Sequence, residues 1–471
     1  VKNFPLGPWL PDQSTISSVL SVARNCLPTL DGYRPLAGPV ALGAALPASF
    51  AGGASFTGAD GTSALLVGTS TGLLQYAGGA WTTLATGVAA NRWQFSQFGD
   101  FVVAVNGSAT KVVHLNSGAL ASDLDGAPPG IAVATVGDYV VIGQGANDRV
   151  GVYTSGFNDH TDWDPAGTGG ATIQPMLTGG EVMGLAGGEY GVILQRQRLV
   201  RMTRTGDATA PFQYDEISPN IGCASKASVV QKGRSVYFLS DSGFMALNDG
   251  QAVTPIGSEK VDREFQAALG RNGYETMFSA LDPINKLIMW AIPGTPGRVF
   301  IYHYELDRWT DARFAVEGIF SGVTPATTLE EVSAMYSSVD AILGSFDDPI
   351  FLGNAPKVYV VKDRTLATMT GPNLKASWRL PFLQVTGDRI ARFRDVRPVT
   401  DATVGNAMTL DVRNRLGDPA RVVACAPIRT SGVMPVRCSG RYAQPEWTIA
   451  EGDDWTFANA IGLEYEVGSV R

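Results

Sequence analysis

A turn of glycine and polar residues, then an apolar strand, a second turn and another strand, recurs along most of this chain. It reads GTSALLVGTSTGLLQYAGGAWTTL from Gly61, FGDFVVAVNGSATKVVHL from Phe98 and VGDYVVIGQGANDRVGVYTSG from Val136. It returns as GGEYGVILQRQRLVRMTRTG from Gly187, KGRSVYFLSDSGFMALNDG from Lys232 and INKLIMWAIPGTPGRVFIYHYELDRW from Ile284. The turn positions Gly99, Gly137, Gly188, Gly233 and Asn285 lie about 38, 51, 45 and 52 residues apart, close to the length of a four-stranded propeller blade. One such blade leaves both sheet faces uncovered, so the units must stack around an axis. The expectation is an all-β chain built on a β-propeller of six or seven blades.

From Ser377 onward the pattern changes. SWRLPFLQVTGDRIARFRDVRPVTDA, NAMTLDVRNRLGD, RYAQPEWTIAEG and NAIGLEYEV alternate apolar and polar residues without the glycine-led unit, as strands of an antiparallel sandwich do. The expected organisation is an N-terminal arm over residues 1–39, a propeller over 40–371 and a C-terminal β-sandwich over 372–471, with the boundary near Gly371-Pro372. The arm is expected to pack outside the first blade, with Ser14 to Cys26 either a short helix or extended. The stretch from Thr324 to Asn354 reads as an insertion on one face of the ring, with a short helix over Thr328 to Met335. A second helix is expected where Val261, Phe265 and Leu269 fall at i, i+4 and i+8, with Ser258 as its N-cap.

The 55 glycines, 27 prolines and 45% hydrophobic content fit many short strands joined by tight turns. No run reaches 18 apolar residues, and VKNFPLGPWLPDQS lacks a signal-peptide pattern, so synthesis in the cytoplasm without membrane insertion of its own is expected. Cys26, Cys223, Cys425 and Cys438 form no C-x-x-C pair, although Cys425 and Cys438 are placed to face each other across a hairpin. A net charge of −8 argues against a nucleic-acid-coating surface, which needs Lys and Arg to neutralise phosphates. Between Lys375 and Arg441, however, 12 basic residues stand against 5 acidic ones, leaving +7 there and −15 elsewhere.

Few residues suggest chemistry. In NDHTDWD, Asp159, His160, Asp162 and Asp164 offer acid/base groups or oxygen ligands, but the cluster lacks the Gly turn and terminal Glu of a calcium loop and reads best as a solvated turn. His114 and His303 sit within strands and read as hydrogen-bonded structural histidines. No Gly-x-Ser-x-Gly elbow, phosphate loop or dinucleotide fingerprint occurs, nor does a repeated Ser-x-Asp-x-Gly-x-x-Trp box. No catalytic residue, cofactor or metal is expected. Two arginine pairs, Arg196 with Arg198 and Arg392 with Arg394, are spaced to project from one face of a strand, and Arg397 follows the second pair. They are either solvated sheet faces or contacts to carboxylates of a neighbouring subunit.

Three groups of residues carry a resemblance to the tail nozzle proteins of short-tailed bacteriophages, also described as tubular tail or packaged-DNA stabilisation proteins. They are NCLPTLDGYRPLAGP (Asn25 to Pro39), the blade from Gly222 through the Val261–Phe265 helix, and RFRDVRP, NRLGDP and SGRY near the C-terminus. The resemblance implies a hexameric ring below the portal and its adaptor ring, enclosing DNA without sequence-specific binding and carrying tail spikes or fibres. It implies a place in the virion tail. The +7 segment set against the −15 remainder makes Arg392 and Arg394, with Arg397 a weaker third, candidate contacts to carboxylates of an adjacent subunit or of the adaptor ring. A carbohydrate-binding or carbohydrate-cleaving propeller is the second class of function that stays open.

Overall fold

The structure, a computed structural model, describes residues 1–471 apart from 15–16, 18, 62, 78, 116, 146, 208, 271–272, 325–354, 388 and 469–471. The helix expected over Thr328 to Met335 lies outside the described residues. Among the described residues, seven four-stranded antiparallel blades succeed one another along the chain. Their inner strands are Phe50–Thr57, Gln94–Phe98, Ala132–Val136, Val182–Ala186, Val230–Lys232, Phe278–Asp282 and Gly318–Val323. The glycine-led turns that dominate the sequence join each inner strand to the next one out. Gly99, Gly137 and Gly233 there have φ of 58°, 56° and 55°, a conformation that favours glycine.

Each blade is covered on both faces by its neighbours, and the sequence of its middle strands follows from that. Phe101–Val105, Tyr139–Gly145, Gly191–Gln195 and Leu287–Ile292 are buried along nearly their whole length. The change of pattern after Ser377 has the complementary cause. Met434–Gly440 and Tyr442–Ile449 alternate between buried and more exposed residues, because each sandwich sheet meets the core with only one face.

The N-terminal arm does not pack outside blade one. Its strands are taken up by the sandwich, and the strand Ala37–Ala45 pairs with Thr365–Asn373 as the outermost strand of blade seven, closing the ring. The boundaries expected at 39/40 and 371/372 therefore both fall inside strands. Val22–Arg24 lies between the outer strand of blade six, Arg308–Ala312, and the sandwich strand Ala376–Arg379, so blade six and one sandwich sheet form a single nine-stranded sheet. The opposite sandwich sheet has Cys26–Pro28, Tyr33–Pro35, Ala458–Val467, Ala391–Thr400 and Met434–Gly440 in that order, with Lys2–Pro5 beside Ala458–Val467.

Asn25 is the corner where the chain leaves one sandwich sheet for the other. Its φ of 55° is left-handed, a conformation Asn adopts more readily than most residues. Its N–H donates to Asp311 O (2.8 Å), its Nδ2 donates to Lys375 O (2.9 Å), and its Oδ1 accepts from the Arg313 N–H (2.7 Å). Next to it the Asp311 carboxylate, 1% exposed, accepts from Arg298 Nε at 2.9 Å and lies 3.4 Å from Arg313 Nε and 3.7 Å from Arg24 Nε. Around this junction one continuous core joins Phe244, Phe265, Trp290 and Trp309 of blades five and six to Trp378, Trp447 and Trp455 of the sandwich.

In the blade that begins after Gly222, the first strand is Val230–Lys232, after a 3₁₀ turn over Lys226–Ser228, and the fourth is Ala252–Pro255. The helix α1 follows at Asp262–Leu269 and buries Phe265 and Leu269. Ser258 is not its cap. The N-cap residue is Val261, and the free amides of Arg263 and Glu264 donate instead to the carboxylate of Asp12 at 2.8 and 3.0 Å, from the N-terminal arm. Asp262 turns inward to accept from the Phe244 N–H (3.1 Å).

Two outcomes follow from the buried Asp311 and the half-buried Asp262. Asp311→Asn removes the charge that holds Arg298 and Arg24, and is expected to cost about 3 kcal/mol or more in urea unfolding. Burial, reinforced by Asp12, raises the Asp262 carboxyl from 3.8 to about 6, against the opposing Phe244 hydrogen bond. The folded state therefore holds this proton more tightly than the unfolded chain, and that contribution is lost as pH rises through about 6. Asp262→Asn keeps an oxygen for Phe244 and cannot ionise. Melts should show it more stable than the parent at about pH 7.5, by roughly 1 kcal/mol after allowance for partial exposure, and no better at about pH 4.

Candidate functional site

Arg392, Arg394 and Arg397 lie on the strand Ala391–Thr400, all three exposed, while Phe393, Val396 and Pro398 face the core. Simple alternation would turn Arg397 to the opposite face from Arg392 and Arg394. A bulge between Phe393 and Asp395, seen against both neighbouring strands, shifts the phase by one residue and brings all three guanidinium groups to the outer face. Arg437 on the adjacent strand Met434–Gly440 joins them. It was not singled out in the sequence, although the alternation of Met434, Val436 and Cys438 inward places it outward.

The three arginines differ in what they meet. Arg394 pairs with Glu466 at 2.5 Å, with side chains 60% and 50% exposed, a solvated pair of the kind that contributes little. Arg397 stands opposite Gly462 across the sheet and so has no cross-strand side chain to meet. Neither Arg392, Arg397 nor Arg437 forms an ion pair among the described residues.

Arg196 and Arg198 are not on a strand. They belong to the hairpin turn between Gly191–Gln195 and Leu199–Arg204, and each is used inside the chain. Arg196 donates to Ala224 O (2.8 Å) and to Asp241 (2.9 Å), tying blade four to blade five. Arg198 is 2.7 Å from Glu216 and also donates to Thr178. The spacing of two was consistent with a strand face, but the local signal was a turn of long polar residues between two apolar runs.

The Asp159–Asp164 cluster is in the connection between the third and fourth strands of blade three, Asp148–Thr154 and Thr172–Pro175. Its carboxylates bond their own backbone: Asp159 accepts from the Thr161 N–H and hydroxyl, Asp162 from the Asp164 N–H, and Asp164 from the Ala166 N–H. These are Asx turns, and the Thr161 hydrogen bonds hold the Asp159 carboxyl below its ordinary range. The His160 ring lies 4.3 Å from that of Phe101, and burial pulls its pKa down while Asp159 opposes. No group of three His, Cys, Asp or Glu placed to hold a metal occurs among the described residues.

Of the other histidines, His303 is hydrogen-bonded as expected, its Nδ1 accepting from the Leu306 N–H at 3.2 Å. His114 is not: its ring packs 4.8 Å from Phe101, and its buried Nδ1 has no hydrogen-bond partner among the described residues. Cys425 and Cys438 are both free thiols, and burial raises them to about 12 and about 11.

No family model matches the chain, and neither does any curated protein. The similar solved structures include the extracellular domain of the putative one component system BT4673 from B. thetaiotaomicron, 12% identical with a TM-score of 0.42. That likeness covers 83% of this chain and 47% of the other. The RRP9 WD40 repeats are 9% identical with a TM-score of 0.39, over 61% of this chain and 88% of theirs.

The Asx-turn geometry sets an expectation for the blade-three cluster. Replacing Asp159, His160 and Asp162 together by Ala should leave the fold intact and cost roughly 1–3 kcal/mol through lost turn hydrogen bonds, as urea melts would read. A glycosidase activity present in the parent and absent from a folded triple variant would instead place chemistry at this turn.

Proposed function

We propose that this chain is a structural component of the tail of a short-tailed bacteriophage, a nozzle subunit that assembles into a ring. In that role it forms part of a conduit for genome retention and exit, and offers attachment surfaces to an adaptor ring and to receptor-binding proteins. The observation that carries this reading is where the resembling stretches lie. Asn25 makes the corner between sandwich sheets, and Tyr33 pairs with Ala458 and donates to Gly7 O at 2.8 Å. RFRDVRP forms the strand beside Ala458–Val467, and SGRY is the hairpin from Met434–Gly440 into Tyr442–Ile449. The helix after blade five packs Phe265 against Phe300 at 4.9 Å, in the same core. Stretches hundreds of residues apart thus build one junction, as a shared scaffold requires.

The charge distribution supports a ring. In a closed ring of identical subunits a basic surface meets a different surface of its neighbour at every interface, and the +7 segment and −15 remainder of this chain are suited to that. Arg392 and Arg397, exposed and forming no ion pair among the described residues, are the groups available for it. Reversing both (Arg392→Glu with Arg397→Glu) keeps Arg394, but Arg392 stands opposite Glu466, so Arg397→Glu alone, opposite Gly462, serves as the variant that leaves the Arg394–Glu466 pair untouched. The expected result is a folded chain that fails to join portal–adaptor assemblies, since each desolvated pair truncated costs about 2–5 kcal/mol. Electron microscopy of co-expressed complexes reads the outcome. Incorporation at parent occupancy would remove these arginines from the interface. A parent chain that never associates with portal and adaptor, yet is retained on glycan resin, would favour the carbohydrate-binding propeller.

A further inference from the structure

The inner strands of the seven blades do not fill the axis of the ring. A cavity of about 390 Å³ remains there, lined from every blade. Its width depends on small residues: a Cβ added to Gly53 or Gly184 would come within 3.0 Å of the Phe320 ring or of Val229 Cγ2. The volume lies in the range of small-molecule sites, about 300–1,000 Å³.

The polar groups on its wall are one-sided. Arg92 and Lys226 line it, and no Asp or Glu does. Arg92 stands ahead of the inner strand of blade two and Lys226 ahead of that of blade five, three places on around the ring. Both therefore sit toward the same mouth. Arg92 donates only to the neutral carbonyls of Glu275 and Met277, and its guanidinium lies 4.1 Å from the Phe278 ring centroid. Burial lowers its pKa to about 10, with Glu275 opposing, which leaves it charged at neutral pH.

Lys226 has three N–H donors and gives one to Gln144 Oε1 at 3.2 Å. Gln144 is itself fixed. It is 6% exposed, sits at a bulge with φ of 61°, and donates through Nε2 to Glu181 at 2.9 Å. A buried residue held in that left-handed conformation is a cost the surrounding fold sustains to aim one side chain. The neighbouring hydroxyls are already committed, Ser279 to Ala227 O at 2.7 Å and Thr135 to Gln97 O at 2.7 Å. The Gln94 amide, also on the wall, has no hydrogen-bond partner among the described residues. What the cavity offers a ligand is two positive charges and neutral donors in a cleft open to solvent, with Glu181 and Glu275 beside Lys226 in the adjoining recess.

We propose that the axial cavity is a binding site for a small oxyanion, a phosphate- or carboxylate-bearing molecule, held by Arg92 and Lys226 as charge partners with Gln94 as a neutral donor. The site does not depend on the nozzle reading and is tested without any assembly partner. Inorganic phosphate and, in parallel, citrate are titrated into the full chain by calorimetry, with chloride keeping ionic strength constant. Saturable single-site binding of one or both is expected, and which one binds identifies the acid group. Lys226→Met and Arg92→Met should each weaken it about tenfold or more. If Arg92→Met unfolds through loss of its carbonyl bonds, Lys226→Met with Gln94→Leu decides. Heats indistinguishable from the chloride control for both anions, or affinity unchanged in a folded Lys226→Met chain, would overturn the proposal.

Discussion

The buried carboxylate of Asp311 is the interaction on which the joining of this molecule's parts depends. It lies on the outer strand of blade six, 1% exposed, and is compensated by Arg298 of the same blade and by Arg313 and Arg24. Arg24 is the last residue of the strand that pairs with blade six on one side and the sandwich on the other. A charge so placed is tolerated only with its partners, so the cost of exposing or abandoning it makes the splice between blade and sandwich all-or-none. Arg298 extends the cluster to Glu264 on α1 at 2.7 Å, which links the helix to the same centre.

The N-terminal arm acts on both parts at once. Asp12 caps α1, Val22–Arg24 completes the nine-stranded sheet, Cys26–Pro28 and Tyr33–Pro35 join the opposite sheet, and Ala37–Ala45 seals blade seven. The ring is thus closed by hydrogen bonds between residues more than 300 apart in sequence, such as Thr368 and Val40. Propeller and sandwich are separate in architecture but continuous in core, since the largest apolar cluster runs from Phe244 and Trp309 to Trp447 and Trp455.

The two outer faces of the sandwich are electrostatically unlike. On the sheet spliced to blade six, Arg379 reaches Glu446 at 2.6 Å and Arg413 reaches Asp411 at 2.6 Å, so positive charge is neutralised where it stands. On the other sheet, among the described residues, Arg394 is so matched, by Glu466, while Arg392, Arg397 and Arg437 point outward without an ion pair, Arg392 from between Ser439 and Glu466 and Arg397 opposite Gly462. Register alone does not set the difference: Glu466 stands opposite Arg392 but is taken by Arg394 at the bulge, Arg397 faces Gly462, and Arg413 meets Asp411 two residues back on its own strand.

By itself the sequence determined the blades. Turns that need glycine, followed by apolar runs long enough for a strand buried on both faces, leave no other arrangement that covers them, and the change to strict alternation after Ser377 marks sheets with one buried face. Phe265 and Leu269 on α1 and the outward setting of Arg392 and Arg394 were legible for the same local reason. The rest depended on contacts distant in the chain. Asp12 displaced Ser258 as the cap of α1, and Val22–Arg24 found its partners at Asp311 and Ser377, hundreds of residues away. Arg196 and Arg198 fell in a turn because Gly191–Gln195 ended one residue before them, a limit set by pairing with Val182–Ala186 and Leu199–Arg204. Arg397 reached the outer face only through a bulge, and Gln144 and Lys226 met across two blades. Periodicity records how much of a strand is buried and on which face, whereas register, bulges and caps are chosen by partners that only the assembled fold brings within reach.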